Sequence, residues 1–536
     1  MIRRTLAICA MALSAVIISS CCGKTEDERL NEQAAKEYLI PVRPFTEGRN
    51  PCWNEFCPRF IYAPVFDFAE VEGAQKYRFT LTEATDEEPE PDAASWSFEA
   101  GSPAADLSPV WNDIPVGSID LKVEGIDKDG NVKGTAGERR FFRDFPFEAP
   151  YPSNIRPYKE AALMGMLYIH NKRQIKHWAE SVEPDMSYSL NTYANKIIGN
   201  TVSVESKLAS FFPEYAEEAI KMAKNAAQFL IDQSRPEGEV LAYFPPTYYG
   251  GLIASSREEN IGKVMTMDPC YAANGFLDLY DATGEQIYRD RATGIADTYN
   301  RIQAEDGSFP IKLDLETGEP VNGSKAMLHP LLNFIRRLEN QYGIHDYDAM
   351  RDKAEKWMSD VAIETFNLTG QFEDVSVEME PYQNLTNCTA ATYASYLLKG
   401  ENISEKDLQD AIDLIRLSED QFVHWNTLPG DNGVRRTFGP CVYEQLQFQT
   451  PVDNSTCNVA NALLDLYNVT GDKLAYAKAK ALVDALTIAQ DIVNGQIPTI
   501  LNYKEPKTSE GKSFWLNCSA TSINMLLRMA EMTGEE

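Results

Sequence analysis

The chain has 536 residues, 43% hydrophobic and 24% charged, which suits one large or two medium globular domains and excludes a disordered or fibrous protein. Its 50 Lys and Arg stand against 80 Asp and Glu, a formal net charge of -30. Such a surface has no long-range attraction for phosphate backbones, so nucleic acid is not an expected partner.

At the N-terminus, an apolar run from Leu6 to Ser20 follows Arg3 and Arg4. It falls short of the roughly 20 helical residues that cross a bilayer and reads as a secretory signal. Ile18-Ser19-Ser20-Cys21 ends it and resembles a bacterial lipobox, in which the Cys is acylated and becomes the mature N-terminus. That makes Cys21 the expected lipidation site and residues 21–37 a polar tether, with Gly23 to Arg29 solvated. The protein is then expected at the bacterial cell envelope, held to the outer membrane by an N-terminal lipid. Cleavage as an ordinary secreted protein is the alternative.

From 38 to 147 the pattern has period two. Tyr77, Phe79 and Leu81 alternate with Arg78 and Thr80, and Ile119, Leu121 and Val123 alternate with Asp120 and Lys122. Asp129-Gly130 signals a tight turn before a further strand at Arg139 to Phe142, so the region reads as a small antiparallel β-sandwich resembling fibronectin type III modules. Cys52 and Cys57 enclose a short loop and are expected to pair in an oxidising compartment. Pro146, Pro150, Pro152 and Pro157 then interrupt regular structure and mark a boundary.

The remainder, 148–536, is helical by period and repetitive. Turns centred on Gly238, Gly307, Gly370, Gly433 and Gly495 recur at intervals of one helix pair. Asp268 to Tyr280 and Ser455 to Tyr467 share the ending LDLY, followed in each case by Thr-Gly at 283–284 and 470–471. Apolar all round and rich in small residues, these helices must be buried on every side, whereas helices such as Glu285 to Arg301 carry charge on one face and must lie outside. Inner helices are expected to start near Thr201, Asp268, Lys325, Thr386, Ser455 and Phe514. With Tyr158 to His170 as the sixth outer helix, the arrangement predicts a mainly α protein built on a closed (α/α)6 toroid. A linear solenoid would need polar caps, and the C-terminal helix Ser522 to Met532 is apolar on most faces.

In such a ring the loops before the inner helices converge on one funnel, where helix N-termini favour carboxylates and anionic groups. The residues expected there are Tyr248, Tyr249, Asp268, Lys325, His329, Tyr382, Asn387, Arg435, Arg436, Tyr443, Glu444, Asp453, Asn454, Trp515 and Asn517. Aromatics, carboxylates, Asn and Arg without phosphate loops or dinucleotide fingerprints make the inventory of a carbohydrate site and call for no cofactor. Arg435 and Arg436, followed by Tyr443, Glu444 and Asp453, form the densest segment and offer a carboxylate clamp, a phenol and two acids. Asp268 before Pro269, and Asp453 likewise, also fit plain helix N-caps.

Cys270, Cys388, Cys457 and Cys518 occupy one repeat position, which His329 shares. Ligands spread around a ring do not suit structural zinc, whose motifs bring them in close pairs, so no metal is expected and the thiols read as small core residues. His329 stands out among them as a base, a substrate ligand or a packed core histidine.

The signal, tether, sandwich and six-hairpin ring together resemble the glycan-degrading lipoproteins of Bacteroides-type bacteria. Met265 to Phe309, with Asp268, LDLY, Thr283-Gly284, Tyr288 and Asp306-Gly307-Ser308-Phe309-Pro310, is similar to the unsaturated glucuronyl hydrolases of glycoside hydrolase families 88 and 105. The two-domain layout looks closer to family 154 glucuronidases and to glucuronyl C5-epimerase-like proteins. The resemblance implies a functional role for Asp268. It departs at the next inner helix, where Lys325 and His329 stand in place of a second acid.

The resulting expectation is a glycoside hydrolase that removes a terminal glucuronic acid from an oligo- or polysaccharide. Asp268, Glu444 and Asp453 are its candidate acids, Arg435 or Arg436 the uronate ligand, Tyr249 and Trp515 stacking surfaces, and Lys325, Asn387 and Asn517 further substrate contacts. A uronate lyase or C5-epimerase, using His329 or Tyr443 as base, is the enzymatic alternative. A glycan-binding surface lipoprotein without catalysis is the other.

Overall fold

The computed structural model describes residues 24–43, 53–84, 94–250, 260–369, 382, 385–427, 439–446, 449–501 and 513–535. Cys21, Cys52, Arg435 and Arg436 lie outside the described residues, and with them the expected lipidation site, one half of the expected disulfide and the expected Arg clamp. Among the described residues no helix is long and apolar enough to cross a membrane.

The stretch read as a tether is instead largely a helix, α1 (Glu26–Glu37), opened by a capping box between Thr25 and Glu28. Its buried Ala34 and the following Tyr38 anchor it, and Gln33 donates to Asp472 at 2.8 Å. Polar composition hid this docking, because one buried Ala per helix leaves almost no apolar stripe to read.

The strands β1 (Arg59–Phe60), β2 (Lys76–Glu83), β3 (Ser95–Ala100), β4 (Gly117–Ile126) and β5 (Val132–Arg143) form one sheet in the order β1-β5-β4-β2-β3. β1 runs parallel to β5 and the other pairs are antiparallel. Phe79 faces Val123 and Leu81 faces Leu121 across β2 and β4, as the period-two pattern requires, and all four are buried. The second sheet of a sandwich is not among the described residues. Phe66 and Trp111 supply part of that layer, with ring centroids 5.8 and 6.0 Å from that of Phe141 on β5.

Among the described residues from Tyr158 onward, twelve long helices form a ring. The outer ones are α2 (Tyr158–Asn171), α4 (Ala216–Gln233), α6 (Gln286–Ile302), α8 (Asp348–Trp357), α10 (Glu405–Phe422) and α12 (Lys473–Ala489). The inner ones are α3 (Ala194–Phe211), α5 (Pro269–Thr283), α7 (His329–Tyr342), α9 (Asn387–Leu398), α11 (Asp453–Thr470) and α13 (Leu516–Thr533). Each inner helix packs on the next and α13 returns to α3 and α2, so the ring closes. The first inner helix begins at Ala194, about two turns before the expected Thr201.

Small residues permit this closure. A Cβ on Gly275 of α5 would lie 2.5 Å from the carbonyl oxygen of Gly199 on α3, inside contact distance, so the two backbones touch. Gly307, at a φ of +89°, similarly abuts the backbone of Lys353 on α8, and Gly495, at +80°, abuts Met164 on α2. Two of the recurrent Gly turns therefore wedge one hairpin against the next.

The sheet is joined to the ring by buried polar groups at the end of α10. Asp420 accepts from the backbone N–H groups of Ile61 and Tyr62 at 2.5 and 2.8 Å, and Glu419 accepts from Tyr38, Tyr62, Lys478 and Trp425. Arg59 donates to Asp144 at 2.8 Å and to the carbonyl of Val423 at 2.7 Å.

Burial pushes the Asp420 carboxyl up to about 7. Because its folded value lies above the unfolded one near 3.9, the stability it contributes is full below about pH 4 and is lost as pH rises through about 7, up to roughly 4 kcal/mol. Thermal melts of Asp420→Asn across that range should therefore show a flatter fall in Tm than the parent protein. Identical slopes would remove Asp420 as the titrating group.

Candidate functional site

The N-terminal ends of the inner helices surround one cavity of about 680 Å³. The repeat position occupied by Cys270, His329 and Cys388 lies on its wall, as does Cys518, while Cys457 is buried against Ser522. The first inner helix supplies Lys196 at the same position. Asn200 donates to the carbonyl of Lys196 at 2.7 Å, as Asn274 does to Cys270 at 2.9 Å and Asn333 to His329 at 2.8 Å. This shared bond from one turn deeper marks the same position in three helices.

Asp268 precedes α5 on the cavity wall, 7% exposed. Its side chain does not cap the helix; Thr247 donates its hydroxyl to Oδ2 at 2.8 Å, and that hydroxyl in turn accepts from the N–H of Met265 at 2.9 Å. Glu444 reaches the same cavity from the far side of the ring. It lies on a segment wedged between the starts of α9 and α11, where its N–H donates to Thr450 at 3.0 Å and its carbonyl accepts from Asn387 at 3.3 Å. Asn454 in the first turn of α11, with Trp515 and Asn517 before and within the first turn of α13, completes the set of expected residues on the lining.

Other expected site residues do not line the cavity. Asp453 is fully buried, accepts from Ser522 at 2.9 Å and from the N–H of Asn454 at 2.9 Å, and burial holds its carboxyl well above the ordinary range. A carboxyl sealed behind the wall has no access to a ligand. Tyr443 is 3% exposed with its ring 4.1 Å from that of His424, and Asn387 is buried with its amide donating to the Tyr443 carbonyl. Both hold the Glu444 segment. Lys325 is exposed outside the cavity, and Tyr249 donates to Glu183 at 3.0 Å.

Several lining residues went unread in the sequence: Lys196, Tyr271, Asn274, Asn333, Thr392 and Gln445. Three of these, Asn274, Asn333 and Thr392, sit four residues beyond the aligned Cys and His positions, so extending the repeat alignment by one turn would have found them. Lys196 escaped because its helix was started too late.

The electrostatics of the wall are mixed. Burial pushes His329 down to about 3, and its Nδ1 has no hydrogen-bond partner among the described residues, so the imidazole is neutral. Burial, with a contribution from Glu444, raises the Cys388 thiol to about 12, against a smaller opposing effect of Lys196. Among the described lining residues Lys196 is the one Lys or Arg.

No protein-family model matches the chain, and no curated protein matches it. Among solved structures it is similar to a family 76 glycoside hydrolase from a bovine Bacteroides thetaiotaomicron strain, at 10% identity over 88% of this chain and 100% of that one, with a TM-score of 0.46. It is also similar to cellobiose 2-epimerase from Spirochaeta thermophila, at 10% identity over 72% and 100% of the two chains and a TM-score of 0.49. A third likeness is to an unsaturated glucuronyl hydrolase specific for heparin, at 11% identity over 70% and 98%, with a TM-score of 0.44.

The thiol at Cys388 reports on this wall without reference to any reaction. Alkylation followed by mass spectrometry should be slow at neutral pH, slower still in Lys196→Met and faster in Glu444→Gln, because only the thiolate reacts. Rates indifferent to both substitutions would place the two charges away from the thiol.

Proposed function

We propose that the protein is a glycoside hydrolase that removes a terminal uronic acid, glucuronic acid first among them, from a glycan, working at the cell envelope from a lipid on Cys21. The observation that supports this is the meeting of Asp268 and Glu444, carried from opposite sides of the ring, in one cavity with Lys196. Two carboxyl groups flanking a bound sugar are what hydrolysis of a glycosidic bond requires.

Thr247 aims its proton at Asp268, a contact suited to a carboxylate, so Asp268 is assigned as the base and Glu444 as the acid. Glu444 gives its proton to the leaving oxygen as that oxygen parts from the anomeric carbon. Water attacks the same carbon and loses a proton to Asp268. Proton exchange with solvent then restores both groups.

Lys196 is assigned to the uronate. It is the third residue of α3, within the turn where the helix dipole opposes a cation, so helix stability gives no reason for it there. Trp515 and Tyr271, 38% and 37% exposed, offer flat faces for sugar rings. Asn517 and Asn454 supply amides for hydroxyls.

His329 favours a second reading as a lyase or C5-epimerase. An imidazole on the cavity wall, its Nδ1 without a hydrogen-bond partner among the described residues, is placed to remove the proton next to a substrate carboxylate. The lyase leaves a double bond that absorbs in the ultraviolet, and the epimerase exchanges one carbon-bound hydrogen with deuterium from solvent without cleavage.

Incubation with uronic-acid glycans should release free uronic acid with neither signature. Asp268→Asn should lower turnover roughly 10²- to 10⁴-fold on all substrates. Glu444→Gln should do so for sugar leaving groups but far less for an acidic phenol, which departs without protonation. Asp453→Asn, a near-isosteric change of a buried group off the lining, should stay within about tenfold of the parent. Loss of activity in the last alone would overturn the assignment.

A separate kinetic signature belongs to Lys196→Met. Loss of a charge-assisted contact worth about 1.5–3 kcal/mol should lower kcat/KM roughly ten- to a hundredfold, mainly through KM. An unchanged KM would release Lys196 from the uronate.

A further inference from the structure

On the α5–α7 side the cavity wall is made of Met265, Met267, Ile311 and Met327. These lie on three short segments hydrogen-bonded side by side. β6 (Lys263–Met265) pairs with β7 (Lys312–Asp314), and the N–H of Thr266 donates to Ile311 at 3.0 Å. In turn the N–H of Ile311 donates to Ser324 at 2.9 Å and that of Ala326 to Phe309 at 2.9 Å. Thr266, between the two methionines, is fully buried, so its hydroxyl does not interrupt the wall.

Among the described residues, these four side chains give the lining an apolar stretch carried on adjacent hydrogen-bonded segments. Elsewhere on the lining, apolar residues such as Val452 and Ile500 are interspersed with Thr450, Asn454 and Gln445. Asp268 follows Met267 directly and stands at the border of this wall, while Glu444 and Lys196 belong to other parts of the ring.

A second sugar seated against this wall would turn hydroxyls toward thioethers and an aliphatic chain, leaving them unpaired at a cost of about 1–3 kcal/mol each. An aryl or alkyl group would lose no hydrogen bonds there. Methionine adapts its shape to varied apolar partners and makes favourable sulfur–aromatic contacts. A ligand matched to the whole cavity is therefore amphipathic: a charged sugar near Lys196, an apolar group on the methionines, and the joining bond between Glu444 and Asp268.

We propose that this wall is the leaving-group subsite and that the substrate class is an aryl or alkyl uronide, in which the uronic acid is linked to an apolar aglycone. The chemistry of cleavage rests on the hydrolase reading above; the preference for an apolar group rests on the wall alone.

The test uses the full chain with phenyl glucuronide, in both anomers, and a glucuronyl disaccharide. The parent protein should show the higher kcat/KM for a phenyl glucuronide. Ile311→Ser combined with Met327→Ser should lower the ratio of phenyl to disaccharide activity roughly ten- to a hundredfold, the loss expected for one or two buried apolar side chains. A better rate on the disaccharide, or equal losses on both substrates, overturns the proposal. Calorimetric binding to the parent protein separates the two readings and does not depend on the variant folding. If neither glycoside turns over, the hydrolase reading fails. The wall then stands if phenyl glucuronide binds at least about tenfold more tightly than free glucuronic acid, and falls if the two bind equally.

Discussion

Backbone contact between neighbouring inner helices is the constraint on which the molecule depends. Where Gly199 and Gly275 let α3 and α5 touch, no room remains for side chains to adjust the spacing, and the ring takes its radius from the main chain. Carboxylates one to two turns deeper hold that geometry. Asp278 of α5 accepts from Ser203 on the preceding inner helix and from Arg337 on the following one at 2.7 Å. Asp465 of α11 does the same with Ser395 and with Arg528 at 2.6 Å. Arg337 also donates to Asn274 and Arg528 to Asn461, each Asn four residues before its Asp. The same clamp thus spans three inner helices in each half of the ring, and both acids belong to the LDLY segments.

The clamps organise the ring but do not reach Glu444, which depends on the junction with the sheet. α10 ends in the buried acids Glu419 and Asp420 and passes directly into β8 (Val423–His424), which pairs with β9 (Cys441–Val442). Arg59 of the sheet holds the Val423 carbonyl, Asp144 lies 3.0 Å from His424, and the His424 ring packs on Tyr443. Glu444 is the next residue. Asp268, by contrast, is set by contacts within the ring, from Thr247 and the turn that opens α5. The two acids are held by independent supports, one internal to the toroid and one anchored in the N-terminal sheet.

Between these supports the cavity is chemically uneven. Thiols that burial keeps protonated and an imidazole that burial keeps neutral occupy equivalent positions around the ring. The first helix departs from this pattern with Lys196. Charge enters the wall through Asp268, Glu444 and Lys196, whereas the β6–β7 side is apolar. That unevenness, rather than the presence of acids alone, is what gives the site a direction.

Period and repetition in the sequence determined the alternation of inner and outer helices and the closure of the ring. Burial on all sides forces an inner helix to be small and apolar throughout, and that composition is visible without coordinates. The strands β2, β4 and β5 were legible for the same local reason. Docking of α1 was not, since one Ala and a set of paired charges leave no periodic trace. Nor was the separation of Glu444 from Asp453. Both acids stand near the start of α11, but a bend of the backbone turns one into the cavity and seals the other behind it. Which side of a wall a carboxylate faces is decided by contacts distant in sequence, such as Ser522 to Asp453, and the tertiary structure alone contains them.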